Sequence, residues 1–127
     1  MREILFRGRS KVQGSEWLYG DVLIYKNSAQ IWETINNRKH NSVVSLETVG
    51  QYTGLTDKNG KKIFEGDIMP VWENGEEYHY KVIYNGDCFM LAMLDSEQGS
   101  YPLSTKNAIS EVIGNIHDNP ELLKGGE

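Results

Sequence analysis

Val49-Gly-Gln-Tyr-Thr-Gly-Leu-Thr-Asp-Lys-Asn-Gly-Lys-Lys-Ile-Phe-Glu-Gly-Asp-Ile-Met69 is the densest run of turn-forming residues in the chain. Its segment Asp57-Lys58-Asn59-Gly60 predicts a turn in which the glycine takes a positive φ, and Asn-Gly is one of the strongest short hairpin signals. Glu65-Gly66-Asp67 marks a second turn before the apolar run that begins at Ile68. The stretch therefore predicts short strands joined by tight turns, and it points to no particular chemistry.

The residues that follow this stretch alternate between apolar runs and Asn-Gly pairs. Runs over 68–72, 78–84 and 89–94 flank Asn74-Gly75 and Asn85-Gly86, which predicts a β-meander. Pro70 places the first strand at an edge or a bulge, because proline donates no ladder hydrogen bond. A polar loop over 95–100, a brief strand at 101–103, a helical turn over 104–108 and a closing strand at 112–116 follow. Five strands in this order predict an SH3-like barrel, with a short helical turn over 121–124 and a frayed end at Gly125-Gly126.

The residues that precede the stretch predict a smaller β unit. A strand over 17–25, with a bend at Gly20-Asp21, is followed by a turn at Asn27-Ser28 and a hairpin partner over 29–34. Residues 35–41 are polar and predict an exposed loop, and β character resumes over 43–52. We therefore expect a mainly β protein with an N-terminal β unit and turn-rich connector over 1–62, its strands ending near Tyr52. An SH3-like barrel with a short tail is expected over 63–127.

Three blocks of sequence resemble the YopX-like proteins of phages and prophages. The first comprises 51–55, 57–60 and 63–68, the second comprises 111–116 and 119–123, and the third comprises 2–7 and 17–20. The resemblance covers almost the whole chain and its motifs are long. It implies a small phage-borne bacterial protein with a C-terminal SH3-like β domain and no assigned biochemical function. It supplies no catalytic or binding residues.

The composition is that of an ordinary globular protein. The 127 residues are 39% hydrophobic and 24% charged, and no apolar run approaches the roughly 20 residues of a membrane helix. The apolar run near the N-terminus is too short for a secretory signal. Cys88 is the single cysteine and cannot form an internal disulfide. We therefore expect a cytoplasmic protein with no membrane partner, and the resemblance implies that its cell is a bacterial host.

The charge changes sign along the chain. Residues up to Lys62 carry +4 and those from Ile63 carry −9, within a net charge of −5. The simplest explanation of this charge difference is that each half of the chain has an ordinary solvated surface. The alternative is that the basic half forms a contact surface. The basic residues concerned are Arg2, Arg7, Arg9, Lys11, Arg38 and Lys39. Their acidic partner is expected to be, in order of preference, the barrel of the same chain, that of a neighbouring copy, or nucleic acid, because a net negative chain repels a polyanion.

No catalytic, cofactor-binding or metal-binding constellation emerges. Gly54 to Lys61 departs from the spacing of a phosphate-binding loop, and Asp57 to Gly60 departs from that of a calcium loop. His79 and Cys88 could form a minimal base and nucleophile, which leaves a thiol- or metal-assisted hydrolase as an alternative. If Asn85-Gly86 forms a two-residue turn, however, Tyr84 pairs with Asp87, and His79 lies several residues away from Cys88 along its strand. We therefore expect Cys88 to be a small buried side chain.

The aromatic residues of the meander offer one candidate surface. Tyr78, Tyr80, Val82 and Tyr84 share one strand face, which we expect to pack in the core, and Trp72 could extend that face into an exposed recognition surface. The function expected is a non-enzymatic binding or adaptor module for a protein partner or for self-association, and a nucleic-acid-associated accessory protein is an alternative. The candidate partner-binding residues are Arg7, Arg9, Arg38, Lys39, Trp72, Tyr78 and Tyr80, and the candidate structural turn residues are Gly54, Gly60, Gly66, Asp67 and Gly114.

Overall fold

The protein is mainly β, as predicted. The computed structural model describes residues 3–12, 16–93 and 98–124. The predicted frayed end at Gly125-Gly126 and the first half of the predicted polar loop over 95–100 lie outside these residues, and the last two residues of that loop belong to a strand. The strands are β1 (Phe6–Arg9), β2 (Trp17–Tyr25), β3 (Ser28–Ile35), β4 (Arg38–Val44), β5 (Gly50–Thr56), β6 (Lys62–Phe64), β7 (Asp67–Glu73), β8 (Glu76–Tyr84), β9 (Phe89–Ala92), β10 (Gly99–Pro102) and β11 (Gly114–Asn115).

Helical structure in the described residues is limited to short 3₁₀ segments. They span Leu46–Thr48, Leu103–Thr105, Asn107–Ile109 and Pro120–Lys124. The predicted helical turn over 104–108 is thus two consecutive 3₁₀ turns, and the predicted turn over 121–124 is present. None of the helices in this described part of the chain has the length and apolar character needed to cross a bilayer.

The strands form two antiparallel sheets. The first has the order β4-β3-β2-β1-β5-β6, and the second has the order β10-β9-β8-β7-β11. The chain divides into two compact units, an N-terminal unit up to Tyr52 and a C-terminal unit from Thr53. The division falls within β5, ten residues before the boundary expected after Lys62.

Two tight hairpins build much of the N-terminal unit. The first joins β2 to β3 and pairs Tyr25 with Ser28, so the predicted hairpin partner is confirmed. The predicted exposed loop over 35–41 is wrong, because a second hairpin pairs Ile35 with Arg38 and continues as β4. Asn36 and Asn37 form its two-residue turn with φ of 53° and 64°. Asparagine tolerates this left-handed region, so two asparagines can form a turn that usually contains Asn-Gly.

Gly20 lies where β2 changes its partner. Residues Trp17 to Gly20 pair with β1, whereas Asp21 to Tyr25 pair with β3. A Cβ atom added at Gly20 would lie 2.0 Å from the Trp32 carbonyl oxygen, so only glycine allows this approach of β3. The core of the unit packs beside this bend and contains Leu18, Ala29, Ile31 and Val44.

Of the two turns predicted in the meander of the C-terminal unit, one is present as predicted and the other has a different length. Asn74 and Gly75, with φ of 53° and 83°, form the expected two-residue turn and pair Glu73 with Glu76. The β8–β9 turn is longer, because Tyr84 pairs with Phe89.

The predicted pairing of Tyr84 with Asp87 is therefore wrong by two residues. The Asn85 N–H donates to the Cys88 carbonyl at 3.1 Å. The Asn85 side-chain oxygen accepts hydrogen bonds from the N–H groups of Asp87 and Cys88, at 2.9 and 3.0 Å. The asparagine side chain thus organises a four-residue loop rather than a two-residue turn.

Pro70 lies at a local edge of β7. The closing strand β11 is shorter than predicted and pairs with β7 only at Asp67 and Ile68. Beyond Ile68, the side of β7 that faces away from β8 has no ladder partner among the described strands. There the Ser110 hydroxyl donates to the Pro70 carbonyl at 2.6 Å. The proline is tolerated because no strand requires an N–H at this position.

One apolar cluster fills the C-terminal unit. It comprises Ile63, Met69, Val71, Tyr80, Val82, Leu91 and Leu103, all buried. Met69 and Val71 are on β7, and their β8 partners Tyr80 and Tyr78 lie on the same sheet face. The opposite face of β7 and β8 therefore carries Pro70, Trp72 and their partners.

Candidate functional site

Trp72 lies on the opposite sheet face from the tyrosines with which it was expected to form a surface. Trp72 pairs with Glu77 and Pro70 pairs with His79, whereas Tyr78 and Tyr80 pair with Val71 and Met69. Side chains of directly paired residues project from the same face of an antiparallel sheet. The predicted extension of the tyrosine face by Trp72 is therefore wrong: the two-residue Asn74-Gly75 turn pairs Glu73 with Glu76, which places Trp72 opposite Glu77 and on the other face.

The tyrosines belong to a packed polar cluster around Glu73. The Glu73 carboxylate accepts hydrogen bonds from the hydroxyls of Tyr80, at 3.1 Å, and of Tyr101. The Tyr80 and Tyr101 rings meet edge to face with centroids 5.6 Å apart. Burial, followed by the hydrogen bond and the negative charge of Glu73, raises the pKa of Tyr80. Tyr80 is buried and Tyr78 is half-buried, so these two side chains stabilise the fold and offer little surface to a partner, whereas Tyr84 is 52% exposed and does not pack in the core as expected.

The basic candidates occupy two separate places in the N-terminal unit. Arg7 and Arg9 are on β1 and stack on Trp17, with their guanidinium carbons 4.6 and 5.8 Å from the ring centroid. Arg7 is 6% exposed and therefore unsuited to contact a partner. Arg38 and Lys39 are exposed at the start of β4, about five residues or on the order of 17 Å along that strand from its contact with Ser10. Arg2 lies outside the described residues.

The turn candidates have distinct structural roles. Gly60 and Gly66 lie in turns with φ of 83° and 89°, whereas Gly54, with φ of 86°, lies within β5, so its expected turn role is wrong. The buried Asp67 carboxylate accepts a hydrogen bond from the Phe64 N–H at 2.8 Å, across the turn that contains Gly66. Gly114 is not in a turn; it lies in β11, and an added Cβ would lie 2.5 Å from the Asn119 side-chain oxygen. The expected turn role of Gly114 is therefore wrong, and close packing explains the glycine instead.

Cys88 and His79 do not form a catalytic pair. Cys88 is exposed in the β8–β9 loop, so its predicted burial is wrong, and its sulfur lies 3.4 Å from the Met90 sulfur. The two ring nitrogens of His79 lie 2.9 Å from the Glu77 carboxylate and 2.7 Å from the Leu122 carbonyl oxygen. A base that activates a thiol needs a ring nitrogen directed at the sulfur. Within residues 3–12, 16–93 and 98–124, no three His, Cys, Asp or Glu side chains come together as a metal site.

A cleft opens on the Trp72 face of the C-terminal unit. It has two adjoining parts of about 100 and about 230 Å³, and both are lined by Pro70, Trp72, Ile109 and Ser110. Further lining residues are Val71 and Lys106 in the smaller part, and Lys58, Glu77, Glu111 and Ile113 in the larger part. We refer to the whole as the Trp72 cleft.

The Trp72 cleft has an exposed apolar rim. Trp72 is 66% exposed, Ile109 is 72% exposed and Ile113 is 37% exposed. The 3₁₀ turn Asn107–Ile109 presents Ile109, and the Lys58 N–H donates to the Ser110 carbonyl at 2.9 Å, which fixes the next residue. Large apolar side chains gathered at one exposed place are typical of contact surfaces.

The backbone of β7 also faces the cleft. The Ile68 carbonyl accepts from the Ile113 N–H, and the Pro70 carbonyl accepts from the Ser110 hydroxyl, so alternate residues of β7 direct their polar groups away from β8. By this alternation the N–H and C=O of Trp72 point in the same direction. The cleft therefore combines an indole surface with a backbone donor and acceptor.

Only Trp72 of the cleft residues was a candidate from the sequence. The others come from segments far apart in the chain, which the fold brings together. One signal was available: Ile109 is a large apolar residue beside a polar turn, and a single 3₁₀ turn cannot bury every side chain that it carries.

Comparison with known proteins shows where this fold occurs. The crystal structure of protein EF1440 from Enterococcus faecalis superposes with a TM-score of 0.58 at 24% sequence identity, covering 98% of this chain and 100% of that one. That similarity concerns the fold. No curated protein matches the sequence significantly. The family model described as YopX protein matches residues 5–124, so the chain belongs to the YopX protein family.

Proposed function

We propose that this protein is a non-enzymatic binding module whose Trp72 cleft holds an extended, proline-containing segment of a partner protein. The observation that carries the proposal is the Trp72 indole, 66% exposed over a cleft of about 230 Å³. An exposed tryptophan beside a second apolar wall, here Ile109 and Ile113, is the arrangement that binds proline rings in aromatic-lined grooves.

The size of the cleft favours a peptide over a small molecule. Pockets for small ligands have volumes of roughly 300–1,000 Å³ and bury most of the ligand. The Trp72 cleft is divided into parts of about 100 and about 230 Å³ that are both open to solvent, and each part has room for only one or two side chains. An extended proline-containing segment presents such side chains at little entropic cost, because its backbone conformation is already restricted.

Polar groups around the cleft would orient the bound segment. The Trp72 N–H and C=O, which face away from β8, can exchange hydrogen bonds with its backbone. Lys58 and Glu111 lie at the larger part of the cleft and Lys106 at the smaller part. Charges of both signs at the rim determine in which direction the bound segment runs through the cleft, and they contribute less to its affinity.

The finer fold and the setting are part of this proposal. We infer that the C-terminal unit is an SH3-like barrel, on the basis of the β7–β8–β9 meander, the 3₁₀ turns before β11 and the return of β11 to β7. In that arrangement Trp72 and the turn at Ile109 form one groove. We also propose that the module is a phage or prophage product, as the resemblance noted in the sequence implies, and that it acts as an adaptor in the bacterial cytoplasm.

Binding of synthetic proline-rich decapeptides, followed by NMR, tests the proposal. We expect the Trp72 indole N–H and the amides of Ile109 and Ile113 to shift with at least one peptide of a set that varies the charges flanking the prolines. Trp72→Ala should abolish the shifts without unfolding the protein, because the side chain is largely exposed. Tyr25→Ala is the matched control, since Tyr25 is a 67% exposed aromatic residue in the N-terminal unit. Shifts that survive Trp72→Ala, or no shifts with any peptide, would refute the proposal.

A further inference from the structure

The edge of β4 in the N-terminal unit is open along its first part. β4 pairs with β3 on one side. On the other side, among the described residues, only its end is covered: Val44 bridges to Ser10, the Lys11 N–H donates to the Val43 carbonyl at 3.1 Å, and the Ser45 N–H donates to the Arg9 carbonyl at 2.9 Å. No described strand pairs with this side between Arg38 and Ser42.

The register determines which backbone groups this edge presents. A two-residue turn makes its flanking residues, Ile35 and Arg38, a hydrogen-bonded pair. Alternate residues of β4 therefore bond to β3, while Lys39, Asn41 and Val43 direct their N–H and C=O outward. The bond from Lys11 to the Val43 carbonyl has this direction. Lys39 and Asn41, both exposed, thus offer two donors and two acceptors spaced for an added strand.

The side chains of this edge are basic. Arg38, Lys39 and His40 are consecutive and exposed. The ion pair between Lys39 and Asp21 spans 3.7 Å between side chains that are 61% and 71% exposed, so it holds the lysine weakly. Lysine on an edge strand commonly prevents pairing with uncharged strands. The same charges attract a strand that carries carboxylates.

We propose that the Arg38–Ser42 edge of β4 binds an extended acidic segment of a partner protein by strand addition. Carboxylates of the segment would lie opposite Arg38 on one sheet face and Lys39 on the other. This inference concerns the N-terminal unit and is independent of the Trp72 cleft.

Two other occupants fit the edge less well. A second copy paired antiparallel about His40 would place two histidines opposite each other and gather four cationic side chains, Arg38 and Lys39 from each copy, which is unfavourable. Nucleic acid would satisfy the positive charges, but phosphate oxygens only accept hydrogen bonds. The carbonyls of Lys39 and Asn41 would then have no donor, whereas a peptide supplies donors and acceptors in alternation.

The experiment uses the full-length protein and a synthetic decapeptide that alternates glutamate with valine. We expect the amides of Lys39 and Asn41 to shift in NMR spectra and to exchange more slowly with solvent when the peptide is bound. A peptide of the same sequence with alternate backbone nitrogens methylated should bind at least about tenfold more weakly, because it cannot complete the ladder. This comparison leaves the protein unchanged, so it does not depend on the folding of a variant.

Protein variants test the charge and the edge separately. The double variant Arg38→Glu, Lys39→Glu should bind the acidic peptide more weakly than the wild type does, and it should bind a lysine-valine decapeptide more tightly. Lys26→Glu, in the β2–β3 turn, is the control and should leave binding of the acidic peptide unchanged. Asn41→Pro should weaken binding, because it removes an outward backbone donor and no backbone bond to β3; the side-chain bond from Asn41 to Gln30 of β3 is lost as well, so Asn41→Ala, which loses only that bond, is the matched control. Three results would overturn the proposal. The first is equal affinity for the methylated and unmethylated peptides, and the second is displacement of the peptide by single-stranded DNA that slows no amide exchange. The third is a salt-sensitive dimer that sedimentation detects in the wild type and not in the Arg38→Glu, Lys39→Glu variant.

Discussion

Asp57 accepts a hydrogen bond at 2.9 Å from the N–H of Val112, a residue 55 positions further along the chain. Its other carboxylate oxygen accepts from the N–H groups of Asn59 and Lys61, also at 2.9 Å. One buried carboxylate therefore shapes the turn after β5 and holds the segment that leads into β11. The two regions form separate blocks of the sequence resemblance, and the hydrogen bonds of Asp57 join them in the fold.

Asp57→Asn should lower the free energy of unfolding by about 1.5–3 kcal/mol near neutral pH, because an amide offers one acceptor to three donors. Chemical denaturation measures the loss. Asp87→Asn is the matched control: Asp87 is exposed in the β8–β9 loop and should change stability by less than about 0.5 kcal/mol. Equal effects of the two substitutions would show that the hydrogen bonds of Asp57 contribute nothing specific.

The stabilisation by Asp57 should also depend on pH. Burial alone would raise the pKa of Asp57, but the hydrogen bonds from Val112, Lys61 and Asn59 and the charge of Lys61 outweigh it and hold the pKa below its ordinary value of 3.8. A lowered pKa means that the stabilisation is present above the unfolded-state pKa and is lost as the pH falls through the folded-state pKa. The difference between the wild type and Asp57→Asn should therefore shrink as the pH falls below 3.8 toward the lowered pKa of the folded state. A difference that stays constant down to acid unfolding would contradict this reading.

Much of the fold could be predicted from local patterns, and the errors have physical causes. Alternation and turn residues indicated the meander, because Asn74-Gly75 has one low-energy conformation between two strands. The hairpin at Asn36 and the loop at Asn85 were mispredicted since an asparagine can adopt a left-handed conformation or organise a longer loop through its side chain. The Trp72 cleft could not be predicted, because the segment that carries Ile109 and Ile113 meets β7 only through tertiary contacts.

Gly60 and Gly114 should respond differently to substitution by asparagine. Gly60 has φ of 83° and open space where a Cβ would be, so Gly60→Val should cost about 1–3 kcal/mol through backbone strain, and Gly60→Asn much less. At Gly114 an added Cβ would meet the Asn119 side chain at 2.5 Å, so alanine and asparagine should both destabilise. Thermal unfolding of the four variants measures this contrast. If Gly60→Asn were as costly as Gly60→Val, strain at positive φ would not be the cause.

Glu73→Gln should lower the pKa of Tyr80 toward 10.0, the ordinary value for tyrosine. Burial raises this pKa first, and the hydrogen bond and charge of Glu73 add to it, so removing the charge should reverse part of the shift. Because the pKa is raised in the folded state, its contribution to stability is present below pH 10.0 and is lost as the pH rises through the folded-state pKa. NMR titration of labelled tyrosine carbons measures the pKa of Tyr80 in the wild type and in Glu73→Gln. An unchanged Tyr80 titration would show that Glu73 does not act on this hydroxyl.

Cys88→Ala should leave both stability and binding intact. The thiol is exposed in the β8–β9 loop, and the ring nitrogens of His79 are engaged by Glu77 and Leu122, so His79 does not activate it. We expect an unfolding free energy within about 0.5 kcal/mol of the wild type and native thiol labelling nearly as fast as in the unfolded chain. His79→Ala should destabilise the protein, because it releases the 3₁₀ segment Pro120–Lys124 from β8, but it should not alter the rate of Cys88 labelling. A thiol that reacts much faster in the folded protein and slows in His79→Ala would instead favour the hydrolase alternative, because only an activated nucleophile depends on that histidine.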